Sequence, residues 1–569
     1  MKNLCLLILS IACCMSLNLW GHTTWSLQGV DYRVDTLSHV KIGPATTQTN
    51  LVLDGPVTLK LFYTTTDFTD PDVDLRVVMG KDNLLSNVTV PDMPASHDDD
   101  QNVYFAGVNA DFIGGMGPIG TTAVDGELYK SYKGDDWDAF AVTADKRLFI
   151  GSPYATFRMV SLSGGEGDAI NAVNNTRASG ELILYTSRKG SSTGTSADGV
   201  EVAAVQVDGP LKSSGATQIR ITGSPVEGVG NMAIPENGFV LSGNGYHERI
   251  LLAMKEGDIL EITPTIPFDY VPVEGIEQMC GGRPLILQDN QILNTSGVLD
   301  HLSTRQPRTA VGYNGDFTKV VMMVIDGRQM GGSAGVTSMD LAAIMQCVGC
   351  TEALNFDGGG SSTLYVNEFG VLNVPSDGRN RAVKNGLFLT TPVQDDNSIA
   401  EIRFADYVKK AEEGGLYEPV IYGYNSKGLL VDTDVDGFTL QCDEALGDVQ
   451  AGGQSVMIDG DGLFRLTATY NGLTASIAVW AGDYAGVAAV DDGVVRLFPN
   501  PVEQGTDVRL SIDGEASVSV YDSCGKKVAE SERCEGTAVL PTSGLPCGTY
   551  VVSVDSGDDG VRNLKLIIK

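Results

Sequence analysis

The pattern of apolar and polar residues divides the chain into two regions of different character. Up to about residue 392, apolar runs of strand length alternate with polar turns, and residues 337–348 repeat their apolar side chains at helical spacing. Beyond residue 396 the helical spacing nearly vanishes, and short strands are separated by Gly, Asp and Asn turns. The pattern therefore predicts a region that mixes strands with helices, followed by all-β modules.

Two of the apolar runs end in a carboxylate followed by glycine. Residues 319–325 lead into Asp326 and an Asp-Gly-Arg sequence, and residues 354–356 lead into Asp357 and three glycines. The helical stretch lies between them, and a right-handed crossover brings the carboxyl ends of both strands to one edge of a sheet. We expect the two strands to be parallel neighbours, with both carboxylates at an edge where ligands bind.

The loop 357–363 concentrates groups that suit an anion. Glycines take backbone angles closed to other residues and so point N–H groups inward, and hydroxyls follow directly. These candidate ligands are Gly358, Gly359, Gly360, Ser361 and Ser362. An isolated glycine-rich turn between strands is the structural alternative, and an Asp-Gly pair after a strand is often only a turn.

Several stretches around this loop resemble, in order and spacing, the phosphodiester glycosidases related to N-acetylglucosamine-1-phosphodiester alpha-N-acetylglucosaminidase. They are residues 306–312, 324–328, 341–342, 355–363 and 380–383, with a weaker likeness at 107–112. The resemblance extends over about residues 37–392 and is strongest over 305–390. It implies hydrolysis of a sugar joined through its anomeric carbon to a phosphate diester, with free sugar and a phosphomonoester as products.

The resemblance also implies roles for individual residues. Such a reaction needs a cationic or N–H-lined phosphate cradle and carboxylates that stabilise an oxocarbenium-like centre and activate water. Asp326 and Asp357 are the predicted carboxylate pair, and Asn109 and Asp111 are expected to face the sugar. The predicted cradle consists of the five loop residues above together with Arg308, Arg328, Asn355 and Arg381.

Two of the arginines have structural alternatives. Arg308 is equally suited to be a buried ion-pair partner of Asp326. Arg381 shares its turn with Arg379 and Lys384, a pattern that is also typical of a solvated basic turn. Both alternatives stay open on the sequence alone.

Charge and histidine content narrow the classes of partner. The 569 residues carry a net charge of −33, which argues against nucleic acid or anionic membranes as partners and requires a local positive pocket for any anionic substrate. With five histidines and none near the loop, a metal-dependent phosphodiesterase is disfavoured. No cofactor is predicted. A calcium loop is a weak alternative at Asp432, Asp434, Asp436, Gly437 and Asp443.

The two ends of the chain carry transport signals. A positive start and an apolar stretch predict an export signal over residues 1–21 that is too short for a stable membrane span. The last segment, 494–569, resembles the C-terminal sorting domain of the type IX secretion route. The resemblance implies a secreted or cell-surface protein that travels through the periplasm and uses that secretion machinery.

These features combine into one prediction. The expected fold is an α+β catalytic domain over 22–392, with a lead-in subdomain over 22–100 and mixed sheets packed on helices. Two all-β modules of Ig-like sandwich type follow, at 396–485 and 494–569. The expected function is hydrolysis of a sugar-1-phosphodiester on a glycan or glycolipid. The alternative is a non-catalytic carbohydrate-binding or adhesion protein.

Overall fold

The computed structural model describes most of the chain beyond the predicted export signal, which lies outside the described residues. The described ranges are 23–97, 99–295, 297–299, 301–406, 409–412, 414–442, 447–459, 462–481, 496–498, 502, 504–521, 527–545, 548–555 and 561–568. Strands provide most of the regular structure within them. The helices of these residues are Met93–Ser96, Tyr246–Leu252 and Ser338–Cys347, with single 3-10 turns at Gly80–Asp82, Val90–Asp92, Ser187–Lys189, Met330–Gly332 and Gly359–Ser361.

Sheet A contains both predicted strands that end in a carboxylate. In spatial order its strands are Thr23–Leu27, Val30–Gly43, Thr46–Asp54, Leu59–Asp67, Lys319–Ile325, Arg308–Tyr313, Glu352–Asn355, Leu285–Gln288 and Gln291–Ile292. Successive side chains of a strand point to opposite faces, so both faces of this sheet can be apolar and buried. Val320, Met322 and Val324 face one core, and Val321, Met323 and Ile325 face another.

Two smaller sheets cover one face of sheet A. Sheet B runs Gly370–Val371, Leu364–Val366, Asn102–Asn109, Asn385–Pro392 and Asp74–Met79; sheet C runs Glu127–Lys130, Thr122–Val124, Ile276–Gly282, Asp138–Thr143 and Leu148–Gly151. Apolar residues from all three sheets share one core, which includes Val108, Phe140 and Leu387. Because sheet B packs on sheet A, Asn109 and the start of the strand Asn385–Pro392 lie near the glycine loop.

Sheet D packs on the far side of sheet C. Its strands run Asp168–Ile170, Thr156–Ser161, Ile259–Thr265, Thr217–Ile221, Val200–Gln206, Gly238–Gly243, Leu182–Thr186 and Ala172–Val173, with Val226–Glu227 beside Val200–Gln206. Leu128, Ala139 and Met279 of sheet C share a core with Phe157 and Val202 of sheet D. Short pairs lie outside these sheets: Val88–Thr89 with Ala382–Val383, Ile113–Gly114 with Gly117–Pro118, and Pro267–Phe268 with Val271–Pro272.

The predicted helix is confirmed as Ser338–Cys347. The Thr337 hydroxyl accepts the N–H of Asp340 at 3.1 Å, and the Asp340 carboxylate accepts the N–H of Thr337 at 3.3 Å, which is a reciprocal capping box. Leu341, Ile344 and Met345 pack against the face of sheet A opposite sheets B and C. This packing accounts for the helical spacing of the apolar residues.

The predicted α+β layering needs correction, because the described residues are mostly β. Among the described residues, Ser338–Cys347 is the only helix in a core of sheet A, and the other layers pack mainly sheet on sheet, with Ile250 and Leu251 of the helix Tyr246–Leu252 in the core that sheets C and D share. The pairings within sheets A, B and C are antiparallel, whereas a parallel pair occurs in sheet D between Ala172–Val173 and Leu182–Thr186. The helix between two strands suggested a crossover to a parallel neighbour, but each of these strands pairs antiparallel with Arg308–Tyr313.

The two strands that end in a carboxylate run in the same direction and end at the same edge, as predicted. They are not neighbours, because Arg308–Tyr313 lies between them and pairs antiparallel with both. Arg308 lies opposite Ile325, and Ala310 lies opposite Asn355. The prediction of adjacency was therefore wrong, and the middle strand brings Pro307 under the glycine loop.

The C-terminal third of the chain is built from strands. One core is enclosed by Glu401–Phe404, Lys409–Ala411, Leu416–Tyr417, Ile421–Tyr424, Thr439–Cys442, Gly447–Val449, Val456–Ile458, Gly462–Tyr470 and Leu473–Ala481, and Leu430–Asp432 pairs with Ile421–Tyr424. A separate core belongs to Val508–Tyr521, Lys527–Leu540, Gly548–Asp555 and Val561–Ile568, and the strand Arg496–Phe498 pairs with the first of them. Among the residues described, none of the helices has the length and apolar character that a membrane span requires.

Candidate active site

The glycine loop turns tightly because its neighbours leave no room for side chains. A Cβ at Gly358 would lie 2.7 Å from the Pro307 carbonyl oxygen. Gly359 has φ of +64°, which favours glycine, and a Cβ there would lie 2.9 Å from Nη2 of Arg328. A Cβ at Gly360 would collide with Arg381. The glycines therefore let two guanidinium groups pack directly against the loop backbone.

Asp357 stands at the start of this loop and is half-buried. Its N–H donates to the Ala110 carbonyl at 2.9 Å, and its carbonyl accepts the Asn109 Nδ2 at 2.7 Å. Burial raises the pKa of its carboxyl group, while a hydrogen bond from Ser361 and the charge of Arg381 act in the opposite direction. The main chain of Asp357 is thus fixed on both sides, and its carboxylate faces a hydroxyl and a cation.

Arg328 and Arg381 flank the loop and remain partly exposed. Arg381 donates to Ser361 Oγ at 3.2 Å and to Asp377 Oδ2 at 2.9 and 2.7 Å. Arg328 donates to Gln306 Oε1 at 2.9 Å, and its Nη1 lies 3.9 Å from Asp377 Oδ1. Both guanidinium groups therefore share one carboxylate, which the sequence analysis did not single out. The four-residue spacing from Asp377 to Arg381 was the available signal.

Asp326 is buried and directly follows the strand Lys319–Ile325. Its carboxylate accepts the Val374 N–H at 3.0 Å and Asn373 Nδ2 at 3.4 Å. Burial is the main cause that raises the pKa of Asp326 to about 6, and the Val374 N–H offsets part of that effect. Asn373 also donates to the Ser362 carbonyl at 3.0 Å, so one side chain ties Asp326 to the loop. No spacing in the sequence pointed to Asn373.

The structure places Asn109 and Asp111 inside the protein. Asn109 Oδ1 accepts Thr309 Oγ1 at 2.9 Å and the Thr363 N–H at 3.1 Å, while its Nδ2 supports Asp357. Asp111 accepts N–H groups of Phe112 and Gly120, each at 2.7 Å, and Nε1 of Trp137 at 3.1 Å. Burial raises the pKa of Asp111 to about 6 against these donors. Both side chains organise the segments beside the loop.

Arg308 points away from the glycine loop. It lies on the face of sheet A that carries Ala310, whereas Thr309 faces Asn109 on the other side. The Arg308 guanidinium is buried and donates to the carbonyls of Val336, His301, Leu302 and Thr304 at 2.9 to 3.3 Å. Its hydrogen-bond partners are thus backbone carbonyls. The prediction that Arg308 binds phosphate and the alternative that it pairs with Asp326 are both wrong.

Two remaining predicted residues keep an unused polar atom. Asn355 Nδ2 donates to the Arg283 carbonyl at 2.7 Å, but its buried Oδ1 has no partner among the described residues. The buried Ser362 Oγ has none there either. Ser361 bridges Asp357 and Arg381. The loop therefore combines a carboxylate, two guanidinium groups and the spare Ser362 hydroxyl, a set that suits an anionic ester, whereas Asn355 lies opposite Ala310 on the Arg308 face of sheet A.

The described residues contain no group of three or more His, Cys, Asp or Glu side chains arranged to hold a metal ion. In the calcium alternative, Asp443 lies outside the described residues. Asp432 Oδ1 accepts the Asp434 N–H at 2.9 Å, and Asp436 Oδ1 accepts the Gly437 N–H at 2.7 Å. These contacts are those of ordinary turns.

Residues 217–390 match the family model described as phosphodiester glycosidase. The resemblance to that family is confirmed. The phosphodiester glycosidase match includes Asp326, Arg328, Asp357 and Arg381, whereas the Asn109 segment precedes it. Residues 496–569 match the model described as secretion system C-terminal sorting domain, which implies a secreted or cell-surface protein.

A curated relative is the SPbeta prophage-derived uncharacterized protein YomE of Bacillus subtilis (strain 168). The two are 37% identical over 97 residues, which cover 17% of this chain and 15% of that protein. The match therefore spans well under a fifth of the relative's length.

Three solved structures from different organisms are similar in fold. A hypothetical protein from Synechocystis has a TM-score of 0.49 at 18% identity, covering 61% of this chain and 62% of that one. An exported protein from Burkholderia pseudomallei K96243 has a TM-score of 0.45 at 20% identity, covering 59% and 74%. The catalytic domain of zebrafish N-acetylglucosamine-1-phosphodiester alpha-N-acetylglucosaminidase, auto-inhibited by its pro-peptide, has a TM-score of 0.33 at 13% identity, covering 63% and 87%.

Proposed function

We propose that this chain hydrolyses the glycosidic bond of a sugar-1-phosphodiester, such as N-acetylglucosamine alpha-linked to phosphate. The products are free sugar and a phosphomonoester. The observation that carries the proposal is the half-buried Asp357, held in a glycine loop between the guanidinium groups of Arg328 and Arg381. The family match over residues 217–390 supports the reaction class.

In the proposed complex the phosphate takes the place that Asp377 now occupies between the guanidinium groups. Arg381 and Arg328 both reach Asp377, and a phosphodiester presents the same kind of anionic oxygens. The Gly360 amide and the Ser361 hydroxyl complete the cradle. The Gly359 N–H already donates to the Pro307 carbonyl at 3.0 Å and the Gly358 N–H to the Asp357 carboxylate, so the predicted roles of these two amides as phosphate ligands need correction. Asp377 offsets one of the two positive charges before substrate arrives, so the empty cradle is not doubly charged.

The proposed chemistry is a displacement at the anomeric carbon. An oxygen of water forms a bond to that carbon, and the bond from the carbon to the phosphate oxygen breaks, its electron pair leaving with the phosphate. Asp357 stabilises the positive charge that develops on the sugar, and the water proton passes to a carboxylate of the Asp326 and Asp357 pair. A pKa of about 6 allows Asp326 to exchange protons near neutral pH.

The domain organisation is also part of the proposal. We assign residues 22–392 to the catalytic unit, with 22–100 as its lead-in, and 396–485 and 494–569 to Ig-like β-sandwich modules, the second acting as the sorting domain. The separate apolar cores beyond residue 400 support this division. A phosphate-linked glycan or glycolipid outside the cell is the proposed substrate.

One observation favours the alternative of a non-catalytic carbohydrate-binding protein. The side-chain oxygens of Asn109 and Asp111, the residues expected to face the sugar, accept hydrogen bonds from inside the protein. A pocket that lacks them for sugar contact can still hold a sugar phosphate without turnover. The two functions differ in whether products form.

The test offers the purified protein an N-acetylglucosaminyl phosphodiester and a phosphate-linked glucose, with and without chelator. Release of reducing sugar and phosphomonoester in equal amounts supports the proposal. Binding without turnover supports the adhesion alternative, and chelator-sensitive release of sugar phosphate contradicts cleavage at the anomeric carbon. Asp357→Asn is the inactive variant, and the exposed Asp395→Asn is its matched control.

A further inference from the structure

Two buried lysines approach each other beside the loop, at the edge where sheets B and C meet. Lys130 ends the strand Glu127–Lys130, and Lys384 precedes the strand Asn385–Pro392. Both side chains are buried, with exposed fractions of 5% and 6%. Buried ammonium groups are costly unless an anion or several acceptors surround them, and this chain carries far more acidic than basic residues.

The bonding partners of the two ammonium groups are backbone carbonyls of two touching loops. Lys130 Nζ donates to the carbonyls of Pro118 and Ile119, the latter at 3.3 Å, and Lys384 Nζ donates to the Leu85 carbonyl at 2.8 Å. A Cβ at Gly117 would lie 3.0 Å from the Leu84 side chain, so the loops are in contact. The two ammonium groups therefore flank one junction.

The charges at this junction do not balance. Asp111 is the carboxylate whose charge acts on Lys130, and its oxygens already accept three N–H groups. Lys384 makes no ion pair among the described residues, and burial lowers its pKa. One anion against two cations leaves a net positive charge beside Asp111.

A third donor, on the residue after Lys384 and bonded to Asp111, lacks an acceptor. Asn385 Oδ1 accepts the N–H of Asp111 at 3.0 Å, which fixes the carboxamide, but its Nδ2 is buried and has no partner among the described residues. Asn385 is fully buried, so water does not readily solvate this group. An anion bound here would accept a hydrogen bond from the unused N–H group and neutralise the surplus positive charge.

We propose that Lys130, Lys384 and the Asn385 carboxamide form a second binding site, for a phosphate-sized anion, separate from the Arg328 and Arg381 cradle. Leu85, whose carbonyl binds Lys384, is 46% exposed, so the site lies close to the surface. It also lies near the glycine loop, because Ala110 joins the two: its N–H donates to the Asn385 carbonyl at 3.2 Å and its carbonyl accepts the Asp357 N–H at 2.9 Å. The site does not require turnover at Asp357.

The first test measures thermal unfolding of the full chain with increasing inorganic phosphate. Because the wild type has two proposed phosphate sites, the comparison is made in Arg381→Ala, which lacks the cradle: we expect phosphate to stabilise Arg381→Ala and to leave Arg381→Ala with Lys384→Met unshifted. Without phosphate, Lys384→Met should melt several degrees higher than the wild type, because it removes an unpaired buried charge. The exposed Lys255→Met is the matched control and should behave as the wild type. A lower melting temperature for Lys384→Met, or an undiminished phosphate shift, overturns the proposal.

The second test identifies the source of the anion. Two phosphodiester substrates are compared, one with a further phosphate on its leaving group and one without. If the site binds the substrate, the extra phosphate lowers KM at least tenfold in the wild type and has no effect in Lys384→Met. Equal KM values in the wild type, together with a phosphate shift of Arg381→Ala that the added Lys384→Met abolishes, identify free phosphate as the ligand. If the wild type turns over neither substrate but its melting temperature still responds to phosphate, only the proposed function is contradicted.

Discussion

Asp111 and Asp357 lie on touching segments, yet their surroundings differ in kind. Asp111 accepts its hydrogen bonds from two backbone N–H groups and an indole, donors that the fold holds in place. Asp357 faces the Ser361 hydroxyl and the charge of Arg381, which belong to side chains that can change partners. The difference separates a carboxylate that stabilises structure from one that is available to a substrate.

Replacing Asp357 is the strongest way to test that separation. We expect Asp357→Asn to reduce turnover about a thousandfold, because the charge that stabilises the reacting sugar is lost. Its melting temperature should stay near that of the wild type, since the backbone contacts of Asp357 remain. Steady-state kinetics and calorimetry of the same preparation check both expectations. A large fall in melting temperature would mean that Asp357 is structural.

Asp111→Asn should produce the opposite combination. Its amide group places an N–H against donors that now bind a carboxylate, so we expect the free energy of unfolding to fall by about 3 kcal/mol. Activity per folded molecule should change much less. Chemical denaturation, with Asp395→Asn as control, measures the first quantity, and active-site-normalised kinetics measure the second. Unchanged stability with lost turnover would place Asp111 in the reaction.

Arg328→Ala should act mainly on substrate binding. Loss of a charge-assisted hydrogen bond to phosphate raises KM by about thirtyfold, with a smaller change in kcat. The exposed Arg379→Ala, in the turn that carries Arg381, is the control for general loss of positive charge. Kinetics identical to those of the wild type would remove Arg328 from the proposed cradle.

Asp326 gives a pH-dependent prediction. Its pKa is raised in the folded chain, so the folded state holds the proton more tightly, and stability falls as the pH rises towards about 6. Asp326→Asn removes this penalty and should be more stable than the wild type by about 2 kcal/mol near neutral pH. The advantage should shrink as the pH approaches about 4. Denaturation across this range measures it, and an advantage that grows in acid would contradict the assignment.

A chelator should have the smallest effect. The proposed cradle uses guanidinium groups and amides, so turnover with and without chelator should be equal within error. An activity that chelator abolishes and a divalent ion restores would assign the phosphate to a different kind of site.

The sequence predicted the parts of this picture that depend on local pattern. The helix after Thr337, the strands that end before Asp326 and Asp357, and their common edge follow from spacing and capping residues. The position of the strand Arg308–Tyr313 between them does not, because pairing across a sheet depends on contacts distant in sequence. The same limit explains why parallel neighbours were predicted where antiparallel strands occur.

Side-chain direction accounts for the other differences. Arg308 and Thr309 are adjacent in sequence but point to opposite faces of sheet A, and only Thr309 reaches Asn109. Lys384, interpreted as one residue of a solvated basic turn, is buried. Asn373 reaches Asp326 across 47 residues of sequence, a partnership that no motif encodes. Residue type indicated the chemistry, whereas the fold decides which groups meet.

The central claim is that the bond broken lies between the anomeric carbon and oxygen, next to Asp357. Hydrolysis in ¹⁸O-labelled water, followed by mass spectrometry of the phosphomonoester, tests this directly. The account predicts a phosphomonoester without label, because the phosphate keeps its original bridging oxygen. Label in the phosphomonoester would show attack at phosphorus and would contradict it.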